Sequence, residues 1–315
     1  MSKITIIGAG NVGSTIAYTL TVAGVASEIV MIDINENKAF GEAMDIRQGV
    51  SFCSPCSIYS GDYHDAAGSD IVIITSGIAR KPGQTRLELA QTNVNIIKSI
   101  AGEIVKYAPD ATYVIVSNPV DVLTYVFCKC SGIPENRVIG SGTILDTARL
   151  RARIAEYYKI SQNNVHAYIL GEHGDTAFVP WSIANISNIP VEDYGKSVAD
   201  SGVKYPDFDR DEVVDYVRKS GGKVIQRKGA TFYAVAVSVC HLCKCLLNRS
   251  IDTTLTVSTM LHGEYGVDDV CVSLLNIVGD GQVKSKLLLP LNDEEIAALH
   301  KSADTLKAII KDIEI

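Results

Sequence analysis

Residues 3–24 read KITIIGAGNVGSTIAYTLTVAG, an apolar run, a cluster of three glycines and then a stretch with helical spacing of apolar residues. A G-x-G-x-x-G pattern that follows a strand and opens a helix is typical of a dinucleotide-binding turn. Gly8 permits the tight turn, Gly10 lets the backbone approach a pyrophosphate, and Gly13 lets helix and strand pack closely. The stretch therefore predicts a βαβ unit whose helix N-terminus faces an anion, the alternative being a plain strand-to-helix turn.

An acidic residue at the end of the next apolar run indicates which dinucleotide binds. Asp33 follows the glycine turn by about 20 residues, where a carboxylate can hydrogen-bond both ribose hydroxyls of an adenosine. Its charge would repel a 2′-phosphate, and no arginine follows immediately. The sequence predicts NAD(H) as the cofactor rather than NADP(H).

Alternating apolar and helical segments predict the fold class. Strands are expected at 4–7, 29–32, 71–75 and 113–117, separated by helices such as 11–23 and 87–107. This pattern is typical of a Rossmann-type, doubly wound parallel sheet. After about Leu145 the pattern changes, so we predict an NAD-binding domain over 1–142 and an α+β substrate-binding, catalytic domain over 143–315. The elements expected in the second domain are helices at 149–158, 211–226, 231–247 and 293–313 and strands at 165–170, 254–261 and 270–277.

The overall composition limits the kinds of partner. Hydrophobic residues make up 47% of the 315 residues and charged residues 21%, as in a folded globular chain, and the net charge is −7. An acidic surface disfavours nucleic acid and anionic lipid. No run of about 18 apolar residues is long enough to cross a membrane, and no signal peptide is recognisable, so a cytoplasmic location is expected.

Eight cysteines fall partly into two clusters, Cys53 with Cys56, and Cys240, Cys243 and Cys245 beside His241. In a cytoplasmic protein they should stay reduced. The second cluster lies in an apolar stretch in which free cysteine packs as a small hydrophobic residue. A zinc site is the alternative, but the first cluster lacks a second ligand pair at metal spacing, so no metal is predicted.

A histidine between glycines is the candidate acid/base. His173 lies in GEHGDT (171–176) after the apolar run VHAYIL, while Asp146 and Arg149 stand one helical turn apart in LDTARLR (145–151). A carboxylate bonded to one ring nitrogen would orient the imidazole and raise its pKa, leaving the other nitrogen for substrate. The alternative is a surface Asp–Arg pair worth about 1 kcal/mol at most.

Two further segments follow predicted parallel strands. GIARKPGQTR (77–86) carries three cations and is expected to form a mobile lid, and Ser117-Asn118-Pro119 follows the next strand. Ligands bind outside the carboxyl ends of such strands. These segments should therefore border one crevice with an acid, an anion clamp and a carbonyl-polarising cation.

Six motifs, GAGNVG, the strand-end Asp33, RKPGQTR, VSNPVD, GSGTILDTAR and GEHGDT, occur in an order and spacing that resembles the 2-hydroxy-acid dehydrogenases, the family of lactate and malate dehydrogenases. The resemblance covers essentially the whole chain. It implies that His173 is the general acid/base, Asp146 its partner, Arg149 the bidentate clamp on the substrate carboxylate and Arg86 the cation that polarises the carbonyl. The implied cofactor-binding residues are Gly8, Gly10, Asn11, Val12, Gly13, Asp33, Val116, Asn118 and Ser141, of which Asn118 also contacts substrate.

The resemblance gives conflicting indications about the substrate. Arg80 stands where the family contacts the far end of the substrate, and arginine there usually accompanies a second carboxylate, as in malate. GEHGDT and Thr231 in KGAT instead resemble the lactate enzymes, some of which also carry arginine in the lid. Gln84 replaces the glutamate usual in lactate enzymes, and the resemblance implies that Gln84 and Thr231 bind substrate together with Arg80. We expect interconversion of (S)-lactate and pyruvate, with malate and oxaloacetate as the alternative.

Arg151 and His166 match positions that bind the phosphates of fructose 1,6-bisphosphate across a subunit interface in allosteric bacterial members of the family. The alternative is a solvated helix residue and an ordinary strand residue. The resemblance therefore implies activation by this sugar bisphosphate, and the family's usual assembly implies a homotetramer.

Overall fold

The computed structural model describes residues 2–78, 86–198, 202, 205 and 207–315, with the side chain of Arg86 excepted. A parallel sheet occupies the first half of the chain, in the order β3-β2-β1-β4-β5-β6. Its strands alternate with helices, as predicted for a Rossmann-type unit. The elements are β1 (Lys3–Ile7), α1 (Asn11–Val22), β2 (Glu28–Ile32), α2 (Glu36–Gln48), β3 (Ser57–Ser60), β4 (Ile71–Ile74), α3 (Arg86–Ile104), β5 (Thr112–Ile115), α4 (Val120–Ser131) and β6 (Val138–Gly140).

The second half adds helices and antiparallel strands. Its elements are α5 (Ile144–Tyr158), β7 (Val165–His166), β8 (Asn185–Ile186), β9 (Ile189–Pro190), α6 (Val191–Ser197), α7 (Arg210–Lys228), α8 (Tyr233–Leu247), β10 (Thr253–His262), β11 (Asp268–Gly279), β12 (Gln282–Lys286) and α9 (Asp293–Lys311). Strands β7, β8 and β9 form a small separate sheet. The α/β fold class expected from the sequence is confirmed.

The antiparallel strands extend the same sheet. β10 pairs antiparallel with β6 at Ser258 and Gly140, and β11 and β12 continue outward, giving nine strands in the order β12-β11-β10-β6-β5-β4-β1-β2-β3. A side chain at Gly140 would lie 2.4 Å from Thr124 Oγ1 and 2.9 Å from Ser258 Cβ. Glycine at this position therefore allows the close approach that joins the parallel and antiparallel parts.

The core lies on both faces of this sheet. All four residues of β4, IVII, are buried, and they alternate between two apolar clusters. Strands buried on both faces are expected to be continuously apolar, as this one is. Because burial of one such side chain contributes about 1.5–3 kcal/mol, the central strands form a rigid support for the turns at their carboxyl ends.

The predicted strand at 165–170 is much shorter in the structure, since β7 covers only Val165–His166. Beyond it, Ile169 donates its N–H to Thr147 Oγ1 at 2.9 Å, and its carbonyl accepts from Thr143 Oγ1 at 2.5 Å. Side chains at the start of α5 thus take the backbone groups of Ile169 that a neighbouring strand would otherwise pair. The segment is thereby fixed directly against α5.

Candidate active site and cofactor site

His173, Asp146 and Arg149 form one hydrogen-bonded group. Asp146 Oδ2 lies 2.6 Å from His173 Nδ1, and Asp146 Oδ1 accepts from Arg149 Nη1 at 2.8 Å. The side chains are 13% exposed for Asp146, 17% for Arg149 and 30% for His173. Each carboxylate oxygen therefore has its own cationic or protonatable partner, and the second ring nitrogen of His173 stays available to a ligand.

Local structure brings these residues together over 27 positions of sequence. Asp146 lies in the first turn of α5, and Arg149 follows it by three residues on the same face. The histidine loop is fixed at its start, because Gly171 exchanges two backbone hydrogen bonds with Ser273 of β11. Gly171 has φ +92°, a conformation that favours glycine. The sharp turn directs the following histidine back toward α5.

The electrostatic surroundings favour an imidazolium next to a carboxylate. Burial alone would lower the pKa of His173, but the hydrogen bond and charge of Asp146, together with the charge of Asp121, raise it above the usual 6.5. Burial alone would raise the pKa of Asp146, but the hydrogen bonds and charges of His173 and Arg149 lower it below 3.8. The pair is thus suited to holding a proton on the histidine near neutral pH.

A cavity of about 280 Å³ opens beside this group. Asn118 and Thr231, both predicted as substrate-binding residues, line it together with the three residues above. Its far wall is α7, where Arg218 donates from Nη2 to the Ala177 carbonyl at 2.9 Å. The volume suits a small organic acid, and Arg149 supplies a planar guanidinium for a carboxylate.

The α7 wall was not predicted from the sequence. Gly221 lies against Arg149, since a Cβ at this position would be 3.8 Å from Nη2, and Gly222 follows with open space around it. Both glycines line the cavity. A pair of glycines inside a helix is a signal of close approach that could have indicated this wall.

The glycine turn has the geometry required for a bound pyrophosphate. Gly8 has φ +110°, and a side chain there would lie 2.6 Å from Thr75 Oγ1. A Cβ at Gly13 would lie 1.8 Å from the Gly8 carbonyl, whereas the space around Gly10, which precedes α1, is open. Because Gly10 has no side chain that could cap α1, the backbone N–H groups at the N-terminus of this helix are accessible to phosphate. Asn11 and Val12 lie in its first turn.

Asp33 is held at the end of β2 in a fixed orientation. Its Oδ2 accepts from the Ala9 amide at 2.6 Å, and its Oδ1 accepts from the Asn35 amide at 2.9 Å. A carboxylate oxygen accepts more than one hydrogen bond, so both retain capacity for ribose hydroxyls. The residues at this turn fit NAD.

Contacts at the carboxyl ends of β1, β4 and β5 connect the cofactor turn with the active-site loops. Ser117 Oγ donates to the Ser76 carbonyl at 2.6 Å, and Ser76 in turn packs against Gly8. Val116 follows β5 directly, and Ser141 follows β6 and donates its amide to the Ile115 carbonyl at 2.8 Å. Val116 and Ser141, which are predicted to bind the cofactor, thus lie at the same edge of the sheet as the glycine turn.

Asn93 of α3 is a positioning residue that the sequence did not reveal. It is 2% exposed. Its Oδ1 accepts from the Ile78 amide at 2.9 Å, and its Nδ2 donates to the Asn118 carbonyl at 2.8 Å, next to the cis Asn118–Pro119 bond. Asn93 therefore ties the segment after β4 to the segment after β5. A polar residue inside an apolar helical pattern was the available signal.

Several predicted residues lie outside the described part of the chain. Arg80 and Gln84 fall in the segment 79–85, and only the backbone of Arg86 is described, as the first residue of α3. Their proposed roles remain predictions.

Arg151 and His166 lie on neighbouring elements. Arg151 donates from Nε to the Ala167 carbonyl at 2.9 Å, and its guanidinium is 5.0 Å from the Tyr168 ring centroid. Burial lowers the pKa of Arg151 from its usual value. His166 is exposed in β7. Arg151 and His166 therefore lie near each other around β7, the arginine half-buried against the segment that follows the strand and the histidine at the surface.

The eight cysteines are all described and unpaired. Cys240 and Cys243 are buried in α8, and the neighbouring Cys245 Sγ lies 3.7 Å from His241 Nε2. Within the described residues no group of three or more His, Cys, Asp or Glu is placed to hold a metal ion. Helices long and apolar enough to cross a membrane are likewise absent from the described chain.

Family models match both halves of the chain. Residues 2–140 match the NAD-binding domain of lactate/malate dehydrogenases, and residues 143–314 match the alpha/beta C-terminal domain of the same family.

Individual relatives match over the full length. An L-lactate dehydrogenase of Acetivibrio thermocellus is 49% identical over 315 residues, which cover 100% of this chain and 98% of the relative. A lactate dehydrogenase from a Medee basin deep-sea metagenome library is similar in structure, with a TM-score of 0.93 and 38% identity over 99% of this chain and 98% of the other. The minor L-lactate dehydrogenase of Enterococcus mundtii has a TM-score of 0.92 and 37% identity over 100% and 99%.

Proposed function

The chain belongs to the lactate/malate dehydrogenase family, and we propose that it interconverts (S)-lactate and pyruvate with NAD, (S)-lactate + NAD⁺ ⇌ pyruvate + NADH + H⁺. The observation that carries the proposal is the meeting of His173, Asp146 and Arg149 at one small cavity next to a dinucleotide turn. The L-lactate dehydrogenase relatives, 47–49% identical over nearly the whole chain, favour lactate over malate.

His173 is the general acid in pyruvate reduction and the general base in lactate oxidation. Since Nδ1 is bonded to Asp146, Nε2 is the atom that gives its proton to the developing alkoxide oxygen at C2. A positioned acid contributes about 10²–10⁴-fold to such a step. Asp146 keeps the ring oriented and stabilises the imidazolium that forms in the oxidation direction.

Arg149 binds the substrate carboxylate through two parallel hydrogen bonds, which a planar guanidinium provides and an ammonium does not. One of its nitrogens already donates to Asp146, so the guanidinium is oriented before substrate arrives. Asn118 contacts the C2 oxygen, and Thr231 lines the substrate side of the cavity. Arg86 polarises the carbonyl, and Arg80 and Gln84 contact the far end of the substrate.

NAD supplies or accepts the hydride when it is bound. In this proposal Gly8, Gly10, Asn11, Val12 and Gly13 hold its pyrophosphate, Asp33 holds the adenosine ribose, and Val116, Asn118 and Ser141 hold the nicotinamide amide. The open space at Gly10 and the two backbone-oriented oxygens of Asp33 support this assignment.

Regulation and assembly complete the proposal. In this proposal Arg151 and His166 bind the phosphates of fructose 1,6-bisphosphate between subunits of a homotetramer. Cationic side chains that face their symmetry mates repel each other, and a bisphosphate that bridges them would stabilise that arrangement of subunits. The cofactor half is 1–142 and the substrate half 143–315. The enzyme acts in the cytoplasm.

The decisive experiment compares NADH oxidation with pyruvate and with oxaloacetate. We expect kcat/KM to be higher for pyruvate, with NADPH a poorer donor than NADH in the same assay. A higher kcat/KM for oxaloacetate would overturn the assignment in favour of malate. Turnover that survives His173→Asn would show that the measured activity does not arise at this site.

A further inference from the structure

A second carboxylate lies behind the histidine. Asp121, in the first turn of α4, is 2% exposed, and its Oδ2 accepts from the backbone amide of His173 at 2.8 Å. This contact comes from a different element than the Asp146 contact, since it reaches the main chain from α4 and not the ring from α5. Two carboxylates thus hold one histidine, one by its side chain and one by its backbone.

The other oxygen of Asp121 lacks a well-formed hydrogen bond. Oδ1 of Asp121 and the hydroxyl of Ser258 are both buried and lie close to each other, but their geometry does not meet that of a hydrogen bond. A buried polar atom without a partner costs about 1–3 kcal/mol. A side chain that served only to accept one amide hydrogen could be an asparagine, whose oxygen would accept that hydrogen and whose NH₂ could donate to the Ser258 hydroxyl, with no buried charge. The buried negative charge of Asp121 is therefore expected to have a function of its own.

The charged and titratable groups around Asp121 identify that reason. His173 and Glu172 face it from the histidine loop, and the buried Cys271 faces it from β11, with a thiol whose pKa burial raises well above 9. Of these, His173 is the one whose positive charge the carboxylate can stabilise. His173 itself faces Asp146 and Arg149 of α5 in addition to Asp121.

We propose that Asp121 is a positioning residue for the acid/base step: it fixes the backbone of His173, and its buried negative charge stabilises the imidazolium together with Asp146. The inference rests on the proposed role of His173. Arg149 destabilises the imidazolium, so the second carboxylate offsets the cation that the substrate requires. Burial raises the pKa of Asp121 to about 6, despite the His173 amide and the nearby Ser258 hydroxyl, and the carboxylate is therefore charged at neutral pH.

The test is Asp121→Asn, whose side-chain oxygen can still accept from the His173 amide while its NH₂ can donate to Ser258. Pyruvate reduction needs the imidazolium, and its kcat/KM falls as pH rises through the pKa of His173. Without the charge this fall should begin at lower pH, giving a loss of about three- to tenfold at pH 8 and less than twofold at pH 6.

Lactate oxidation provides the sharper measurement, because it needs the neutral imidazole. In Asp121→Asn its kcat/KM at pH 7, where Asp121 is charged in the parent enzyme, should rise by about two- to fivefold, a gain that damage to the fold cannot produce. Asp269→Asn is the matched control. Asp269 pairs with Lys129 at the other end of α4, and its replacement should leave both pH profiles in place.

A second variant, Ser258→Ala, keeps the proposal testable if Asp121→Asn does not fold, as loss of NADH binding and of a cooperative melting transition would show. Removing the Ser258 hydroxyl favours the neutral form of the Asp121 carboxyl. The pH profiles of pyruvate reduction and lactate oxidation should therefore move in the same direction as in Asp121→Asn, by a smaller amount. Profiles that stay in place in both variants, or a uniform fall without the gain in lactate oxidation, overturn the proposal. His173→Asn tests the proposed function separately, since it should abolish turnover in either case.

Discussion

At the scale of single residues, Asp146 accepts hydrogen bonds from two side chains at once. Because of this double role, a change at His173 should affect catalysis without a comparable loss of stability. Its Oδ2 faces His173 and its Oδ1 faces Arg149. Removing the imidazole therefore leaves the buried carboxylate with a cationic partner, so the site keeps its charge balance. Removing Asp146 itself would deprive both Arg149 and the imidazolium of the carboxylate that pairs with each of them.

His173→Asn should accordingly abolish turnover while sparing the fold and NADH binding. The asparagine can donate to Asp146 but cannot transfer a proton at neutral pH, and kcat should fall by about 10²–10⁴-fold in both directions. Steady-state assays of both directions, with NADH binding followed by fluorescence, check this expectation. Turnover close to that of the unchanged enzyme would exclude His173 as the acid/base.

The sequence predicted the site residues that carry their own local signal. His173 stands between glycines, and Asp146 and Arg149 share a helical face, so their residue types and spacing indicated a functional site. Asp121 and Asn93 carried only the weak signal of a polar residue within an apolar helical pattern, which becomes meaningful only when its tertiary partner is known. Both act on backbone groups distant in sequence, at His173 and at Ile78.

At the scale of single elements, the glycines of α1 and α7 have opposite consequences. In α7 a Cβ at Gly222 would meet open space, and one at Gly221 would lie in ordinary contact with Arg149. In α1 a Cβ at Gly13 would overlap the Gly8 carbonyl. The same residue type is therefore a conformational cost in one helix and a packing requirement in the other.

Gly222→Ala should raise the free energy of unfolding by about 0.5–1 kcal/mol, because alanine loses less backbone entropy in a helix interior. Gly13→Ala should lower the free energy of unfolding and weaken NADH binding, since helix and strand must move apart. Urea unfolding of the two variants, with NADH titrations, measures both effects. A Gly13→Ala protein as stable as the parent would contradict the close packing at this turn.

Helices and central strands could be predicted because their periodicity is local, as in β4 and α7, whose observed bounds lie within two residues of the expected ones. The strand expected at 165–170 was too long because the periodicity does not reveal which group takes each backbone hydrogen bond. Thr143 and Thr147 take those of Ile169, a competition visible only in three dimensions.

At the scale of the whole molecule, the proposed effector site links regulation to assembly. Arg151 is half-buried against Tyr168 and fixed by the Ala167 carbonyl, and His166 is exposed just before them at the end of β7. A ligand with two phosphates can join such a pair to its symmetry mate only when subunits associate. Effector response and quaternary state are therefore expected to change together.

Fructose 1,6-bisphosphate should lower the pyruvate concentration needed for half-maximal rate at neutral pH, and Arg151→Gln should remove this response. Arg153→Gln is the control on the same helix, since Arg153 pairs with Glu156 and Glu212 and lies outside the proposed effector site. Saturation curves with and without millimolar effector, together with sedimentation of each variant, provide the measurement. Curves that the effector leaves unmoved would disprove the allosteric role.

The nine-stranded sheet runs without interruption from β12 to β3, joined at Gly140 and Ser258. A swing of one half against the other would have to break that junction and the core beneath it. Exclusion of water from the reacting atoms must then rely on local rearrangement of the segments that border the site. Substrate capture is thus a local event on a rigid sheet. Affinity for substrate can therefore be changed by substitutions in the segments that border the site while the sheet itself stays the same.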